Sequence, residues 1–258
     1  MDLGLQDHVA VVTGASRGIG KYIAHAFAAE GCRLALCARG EDALEATADE
    51  LRQAGTDVLA LPLDVTADGA ADELTRRTSE HFGAINILVG NVGGNRRKPF
   101  AETTDDDWAD ILQLNLMSHI RCSRAVIPHL QAAGGGAILF TASIFGREAG
   151  GPGLSIYNTT KSALISLAKI MALELAPEGI RVNSIAPGSI RFPGGSWDRR
   201  VKEDPEGMKA FVEANLPIGR FGTAEEVANL AAFLASPRAS LVTGTCINID
   251  GGQSHSLI

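Results

Sequence analysis

The chain has 258 residues, 45% of them apolar and 21% charged, with a formal net charge of −7. That composition suits a globular protein with a sizeable core, and the acidic balance argues against a basic face for gripping nucleic acid. No apolar run reaches the length of a membrane span, and the opening MDLGLQDHVAVV lacks the basic-then-apolar layout of a signal peptide.

Short apolar runs alternate with longer amphipathic ones along nearly the whole chain. Strands are predicted at 8–13 (HVAVVT), 33–38 (RLALCA), 57–63 (DVLALPL), 85–90 (INILVG), 136–142 (GAILFTA), 181–186 (RVNSIA) and 245–249 (TCINI). Most are apolar on both faces, the pattern of strands buried between two helix layers. Helical periodicity fills 18–30, 41–54, 68–82, 105–133, 155–176 and 223–235. Strict alternation implies βαβ units, hence a single α/β domain over 1–258 with a parallel sheet doubly wound by helices on both faces. Between 188 and 222 the rhythm breaks into a Gly- and Pro-rich stretch with one short amphipathic piece near 205–214. A segment this long after a strand's carboxyl end reads as a substrate-binding lid, although a plain surface insertion would look similar.

The four cysteines, Cys32, Cys37, Cys122 and Cys246, show no metal or redox spacing, and the histidines are scattered singly. Free buried thiols, a reducing cytoplasmic setting and no metal site are the expectation.

Directly after the first strand comes Thr13-Gly14-Ala15-Ser16-Arg17-Gly18-Ile19-Gly20. Glycines here let the backbone turn tightly, approach a pyrophosphate and launch a helix whose amino end attracts negative charge. The spacing is G-x-x-x-G-x-G, and turns need glycine anyway, so its place between strand and helix carries the inference. The second strand ends Cys37-Ala38-Arg39-Gly40, without the acid that would hydrogen-bond an adenine ribose and repel a 2′-phosphate. Arg39 offers a planar fork suited to phosphate and Arg17 a second charge, which favours NADP(H) over NAD(H). Asp64, after the third strand, is placed to meet the adenine, though it could equally cap a turn.

TGASRGIG, Asp64-Val65, Asn115 in a long central helix, Ser143, Tyr157-x-x-x-Lys161, Pro187-Gly188 and the closing Asp250-Gly251-Gly252 together resemble the short-chain dehydrogenase/reductase family, in its small single-domain branch. The match covers essentially the whole chain and is similar to 3-oxoacyl carrier-protein reductase-like members. It implies a Rossmann fold of seven strands in the order 3-2-1-4-5-6-7 and a catalytic tetrad of Asn115, Ser143, Tyr157 and Lys161. It also implies coenzyme contacts from Gly14, Ser16, Arg17, Gly18, Ile19 and Gly20, from Arg39, Asp64 and Val65, and from Asn91 and Gly93. Tyr157, Lys161, Pro187, Gly188 and Ile190 complete that set. Two positions depart from the family: its usual Asn-Asn-Ala-Gly reads Gly90-Asn91-Val92-Gly93, and Phe192 stands where a threonine often contacts the nicotinamide amide.

Carbonyl reduction needs a hydride on carbon and a proton on oxygen. A nicotinamide supplies the first; the protein must deliver the second and orient the reactants. A phenol of pKa about 10 exchanges its proton reluctantly near neutrality. Lys161 lies one helical turn from Tyr157, and its charge, with that of an oxidised nicotinamide, favours the phenolate. Bringing that pKa to neutrality takes roughly 4 kcal/mol of differential stabilisation. Ser143 can donate to the same substrate oxygen. The resemblance adds a ribose contact for Lys161 and a proton-passing water for Asn115. Each residue alone has a plainer reading, as strand-end cap, buried amide or packed aromatic; four in register point to catalysis.

The substrate pocket is expected to include Ser143, Ile144, Phe145, Leu154, Tyr157, the turn Gly93–Arg97, and Phe192 and Trp197 on the lid. Arg96, Arg97, Lys98, Arg199 and Arg200 lie near it, as recognisers of an anionic substrate or as a solvated face. The turn Gln131–Gly136 lacks the basic residues often found there in carrier-protein reductases. The resemblance implies a homotetramer packed through 105–133 and 155–176, and the apolar end of Gln253–Ile258 is a further candidate for subunit packing. A non-catalytic NADP(H) sensor on this fold would lose Tyr157 or Lys161, and a dehydrating or epimerising relative would carry an extra substrate domain. A carbonyl reductase acting on a small molecule fits better.

Overall fold

Along β1 (Val9–Thr13) alternate side chains enter different cores, Val9 and Val11 one, Ala10 and Val12 the other. The same split runs through β2 (Arg33–Ala38): Leu34 and Leu36 face one helix layer, Ala35 and Cys37 the other. A strand with no solvent face must be apolar throughout, which is why these runs do not alternate with polar residues. The computed structural model describes residues 2–257; Met1, and Ile258 of the expected subunit-packing tail, lie outside the described residues.

The remaining strands are β3 (Val58–Pro62), β4 (Ile87–Gly90), β5 (Gly136–Thr141), β6 (Ile180–Pro187), β7 (Ile190–Arg191), β8 (Gly222–Thr223) and β9 (Cys246–Ile249). Seven form one parallel sheet in the order β3-β2-β1-β4-β5-β6-β9. This is the expected 3-2-1-4-5-6-7 order. The last strand is the ninth in the chain because β7 and β8 pair separately, as a short parallel ladder at the two ends of the irregular segment.

The helices are α1 (Gly18–Ala29), α2 (Glu41–Gln53), α3 (Ala70–Phe82), α4 (Asp105–Leu112), α5 (Ser118–Ala132), α6 (Ser155–Leu175), α7 (Ser196–Glu203), α8 (Pro205–Asn215) and α9 (Ala224–Ala235). One core lies under α1, α2 and α9, with Phe27, Leu44 and Val227 fully buried. The other lies under α3, α5 and α6, with Leu74, Leu130 and Leu164.

Two differences from the sequence reading matter. The helix expected over 105–133 is interrupted by a π-helical turn, Gln113–Met117, between α4 and α5. The irregular segment also holds α7 ahead of the anticipated amphipathic piece, which is α8. Trp197 stacks on Phe211 at 4.8 Å between ring centres and lies 5.2 Å from Phe221, so the segment carries a small aromatic core of its own. Arg200 lies over the Trp197 ring at 4.9 Å. All four cysteines are free, Cys32, Cys37 and Cys122 buried, with those three thiols pushed up to about 12, chiefly by burial.

β6 carries Pro187 and Gly188 to the site, and its amino-terminal half is anchored by Arg181. That guanidinium donates to the carbonyls of Leu234 (2.6 Å), Ala235 (3.0 Å) and Ser236 (2.9 Å), closing the carboxyl end of α9. Arg181→Met leaves these acceptors without a donor and is expected to cost about 3 kcal/mol, read as a lowered urea midpoint. A loss below about 1 kcal/mol would show that water replaces the guanidinium.

Candidate functional site

The carboxyl ends of β1, β4 and β5 set the site's floor. After β1 the chain turns at Gly14 (φ +67°) and Gly18 (φ +56°), conformations that a side chain disfavours. Asn91, just past β4, braces the turn: its N–H donates to Thr13 Oγ1 at 3.0 Å and its Nδ2 to the Thr13 and Gly14 carbonyls at 3.2 and 3.3 Å. A Cβ on Gly20 would collide with the Gly14 carbonyl. From α2, Thr47 Oγ1 donates to the Ser16 carbonyl at 3.2 Å. Arg17, at the head of α1, provides no side-chain cap, so the first N–H groups of a 12-residue helix stay open to an anion. Ile19 is half-buried beside the core. This cradle fits a pyrophosphate.

At the β2 tip the Arg39 side chain is 73% exposed, and its contact with Asp64 Oδ2 is long, 3.9 Å. The other Asp64 oxygen accepts the Thr66 N–H at 2.9 Å and hydroxyl at 2.7 Å, so Asp64 shapes a turn as well as facing Arg39. Val65 is buried and Arg17 exposed.

The four tetrad candidates meet. Lys161, one turn along α6 from Tyr157, is buried, with Nζ donating to the Thr141 carbonyl at 2.8 Å and lying 5.8 Å from the Tyr157 ring centre. A Cβ on Gly93 would lie 3.2 Å from that Nζ, so a glycine leaves the ammonium its place. Asn115 is fully buried in the π turn. Its Oδ1 accepts the Gly94 N–H at 2.8 Å, and its Nδ2 donates to the Gly94 carbonyl at 2.9 Å and to Thr160 Oγ1 at 3.0 Å. Thr160 in turn donates to the Tyr157 carbonyl at 3.0 Å. Ser143 caps a short 3₁₀ turn and accepts the Phe145 N–H at 3.2 Å.

Burial raises the Tyr157 phenol above its ordinary value, and hydrogen bonding with Ser143 pulls it partly back. Burial outweighs the serine, so among the protein's own groups the balance lies toward the protonated phenol. Burial likewise brings Lys161 down to about 8. His119, held at about 3 by burial and by Lys161, stays neutral beneath Gly90. A Cβ on Gly90 would lie 2.6 Å from His119 Cδ2, so the imidazole leaves no room for a side chain at 90. Neither His119 nor the linking Thr160 and Thr141 stood out in sequence; polar type alone does not reveal a partner 45 residues away.

Most cations near the site are already engaged. Arg96 pairs with Asp107 and Asp110 at 2.8 and 3.2 Å, and Lys98 with Asp107 at 3.0 Å. The Thr104 N–H and these two cations hold the Asp107 carboxyl far below its usual range. Asp198, brought to about 2 by Lys202, the Gly194 N–H and Arg191, does the same within the segment between β7 and β8. Arg199 donates to the Gly194 carbonyl at 2.7 Å. Arg97 is exposed and lies along Gly153. Phe145 packs on Gly150, while Ile144 and Leu154 are buried. Phe192 lies against the glycine turn, its ring 2.8 Å from where a Gly18 Cβ would be. Trp197 faces Phe211 and Phe221, in the aromatic cluster between β7 and β8. Pro187 ends β6, Gly188 follows it, and Ile190, buried, opens β7 after Ser189.

The profile of a family described as Enoyl-(Acyl carrier protein) reductase matches residues 14–254. A tropinone reductase homologue of Arabidopsis thaliana is 40% identical over 96% of this chain and 80% of its own. The 3-oxoacyl-[acyl-carrier-protein] reductase of Escherichia coli K12 is 35% identical over 97% of this chain and 99% of its own. Among solved structures, L-sorbose reductase from Gluconobacter frateurii, complexed with NADPH and L-sorbose, superposes with a TM-score of 0.94 at 36% identity, covering all of both chains. A 7α-hydroxysteroid dehydrogenase complexed with NADH and 7-oxo glycochenodeoxycholic acid superposes with a TM-score of 0.91 at 32% identity, covering 100% of this chain and 98% of that one.

The buried ammonium makes a pH prediction. The unfolded chain keeps its Lys161 proton up to 10.5 and the folded chain only to about 8. Between those values the unfolded state holds more protons, so this lysine's contribution to stability rises with pH. In urea titrations of the coenzyme-free protein, wild type is expected to gain about 3 kcal/mol on Lys161→Met across that window. A difference that stays flat overturns the assignment.

Proposed function

Because the chain belongs to the short-chain dehydrogenase/reductase family, we propose that it interconverts a carbonyl and its secondary alcohol with NADP(H), Tyr157 acting as the acid/base. The observation that carries this reading is the convergence of Ser143, Tyr157, Lys161 and Asn115 beside an uncapped glycine cradle.

A bound nicotinamide supplies the hydride. Ser143 and Tyr157 hydrogen-bond with each other, so a substrate oxygen can take its place between the two hydroxyls. Tyr157 gives that oxygen a proton in reduction and takes it back in oxidation. Burial makes the phenolate costly, and the Lys161 ammonium on the same helix face is the counterweight. Asn115 ties the Gly94 backbone to Thr160 and so to the Tyr157 peptide, holding acid and lysine in fixed relation. Gly14, Ser16, Gly18, Ile19 and Gly20 would seat the pyrophosphate, Asp64 and Val65 the adenine, and Asn91, Gly93, Pro187, Gly188 and Ile190 the nicotinamide half.

Support for NADP(H) comes from Arg39, exposed at a strand tip that carries no acid, and from Arg17, exposed at the head of α1. Of the neighbours described, one holds NADPH and one NADH, so the preference rests on these two arginines. With Arg96, Lys98, Arg191 and Lys202 already paired, an uncharged carbonyl compound is the favoured substrate class. Phe145, Phe192 and Trp197 are the candidate apolar contacts around it. Ile170 and Leu173, exposed on α6, support a homotetramer, and the free thiols a cytoplasmic setting. Among the described residues no helix is long and apolar enough to cross a membrane.

The test is a panel of neutral aldehydes and ketones, sugars and 3-oxoacyl thioesters, assayed with NADPH and NADH. Tyr157→Phe is expected to lower kcat roughly a hundred- to ten-thousand-fold while coenzyme binding persists. Undiminished turnover overturns the mechanism. Arg39→Ala should lower kcat/KM with NADPH by about tenfold or more and leave NADH unaffected. Equal losses with both coenzymes overturn the phosphate assignment.

A further inference from the structure

The chain from Asp250 onward touches three segments that frame the candidate site. The Asp250 carboxylate folds it, Oδ1 accepting the Gly252 N–H at 3.0 Å and Oδ2 the Ser254 N–H at 2.8 Å. So folded, the Gln253 side chain reaches Ser189, and its Oε1 accepts the Ser189 N–H at 2.7 Å. Ser189 is buried, and its carbonyl accepts the Gly222 N–H at 3.0 Å, at the lid's far end. One residue thus joins the start of the lid, its end and the tail.

Neighbouring contacts act in the same direction. The Gly188 N–H donates to the Ile249 carbonyl at 3.1 Å, and a Cβ on Gly188 would lie 2.7 Å from both Gln253 Oε1 and Asp250 Cβ. The Ile218 N–H donates to the Gly251 carbonyl at 3.2 Å, holding the chain after α8. On the opposite side, the His255 N–H donates to Glu148 Oε2 at 2.8 Å, and the Glu148 carbonyl accepts Asn158 Nδ2 at 2.8 Å, one residue beyond Tyr157.

The paired register of β6 and β9 ends at Pro187 and Ile249. Beyond it the Ser189 N–H has no strand to donate to, and a backbone left loose there would have to be ordered by the coenzyme at a cost in affinity. The geometry points to Gln253 as a positioning residue for coenzyme binding, its side-chain carbonyl pre-ordering the Gly188–Ile190 backbone that faces the nicotinamide. This rests on the reading of Pro187–Ile190 as the nicotinamide-facing loop. The predicted signature is selective: the nicotinamide half should lose its hold, while the adenosine and pyrophosphate half, seated on the other side of the sheet's crevice, keeps its own.

The experiment measures dissociation constants of NADPH and of 2′-phospho-ADP-ribose, the same molecule without nicotinamide, for wild type, Gln253→Leu, Gln253→Ala and Gln253→Glu. Wild type is expected to bind NADPH more tightly than the fragment. Gln253→Leu, close in volume but without an acceptor, should weaken NADPH about tenfold and leave the fragment within about twofold. Gln253→Ala carries the same expectation, so a folding defect in either variant, seen as a lost thermal transition, leaves the other to decide. Gln253→Glu keeps an oxygen at the same reach and should bind NADPH within about threefold of wild type. Unchanged NADPH binding in the folded acceptor-less variants overturns the proposal, and so does equal weakening of NADPH and fragment. A wild type that binds the two equally overturns the loop assignment and the proposal with it.

Discussion

An ammonium group held out of water is costly unless its surroundings repay it, and Lys161 is buried with one hydrogen bond at 2.8 Å, to the Thr141 carbonyl. Its neighbourhood is built around that demand. β5 ends so that its last carbonyl, that of Thr141, accepts from the amine. Gly93, past β4, leaves the room a side chain would fill. His119, beneath Gly90 and within reach of the lysine's charge, stays uncharged and adds no second cation. The helix that carries the lysine also carries the tyrosine whose ionisation the charge would ease, so the energetic burden of burial and its proposed chemical use lie on one turn of α6.

The layers around this point keep it still. Asn115 crosses from the π turn to Gly94 and Thr160, joining three elements through one amide. Asn91 does the corresponding work for the glycine turn. Both are short amides with two donors and an acceptor, suited to closing gaps between strand ends where no ladder hydrogen bond is available. The site is thus assembled where strands stop, from polar side chains that finish what the sheet leaves unpaired.

Much of this was legible in sequence, for physical reasons. Strands buried on both faces leave unbroken apolar runs, so all seven sheet strands and the helices between them could be placed, and the glycine turn announced itself between the first pair. What escaped notice depends on distant partners. SWDRRVKE, the α7 sequence, has too little apolar surface for its periodicity to register; it is held by Trp197 against Phe211 and Phe221. The π turn hides because one added residue barely disturbs a hydrophobic stripe. Arg96 and Lys98 read in sequence as recognisers of an anion or as a solvated face, and Asp107, a residue of the next helix, takes both. In the same way Gln253 is ordinary in its own neighbourhood and acquires a role only against Ser189.

The π turn at Gln113–Met117 also bears on how this chain can change length. A π turn is an α-helix with one residue too many, absorbed in a wider turn so that the helix on either side keeps its face. Removing a single residue between 113 and 117 would restore an ordinary helix, keep every strand and most of the core, and re-aim the Asn115 position within the turn. The helix would remain sound while its amide pointed elsewhere. Along this stretch, residue count is a property of the site, and substitutions are the gentler route by which a relative could vary.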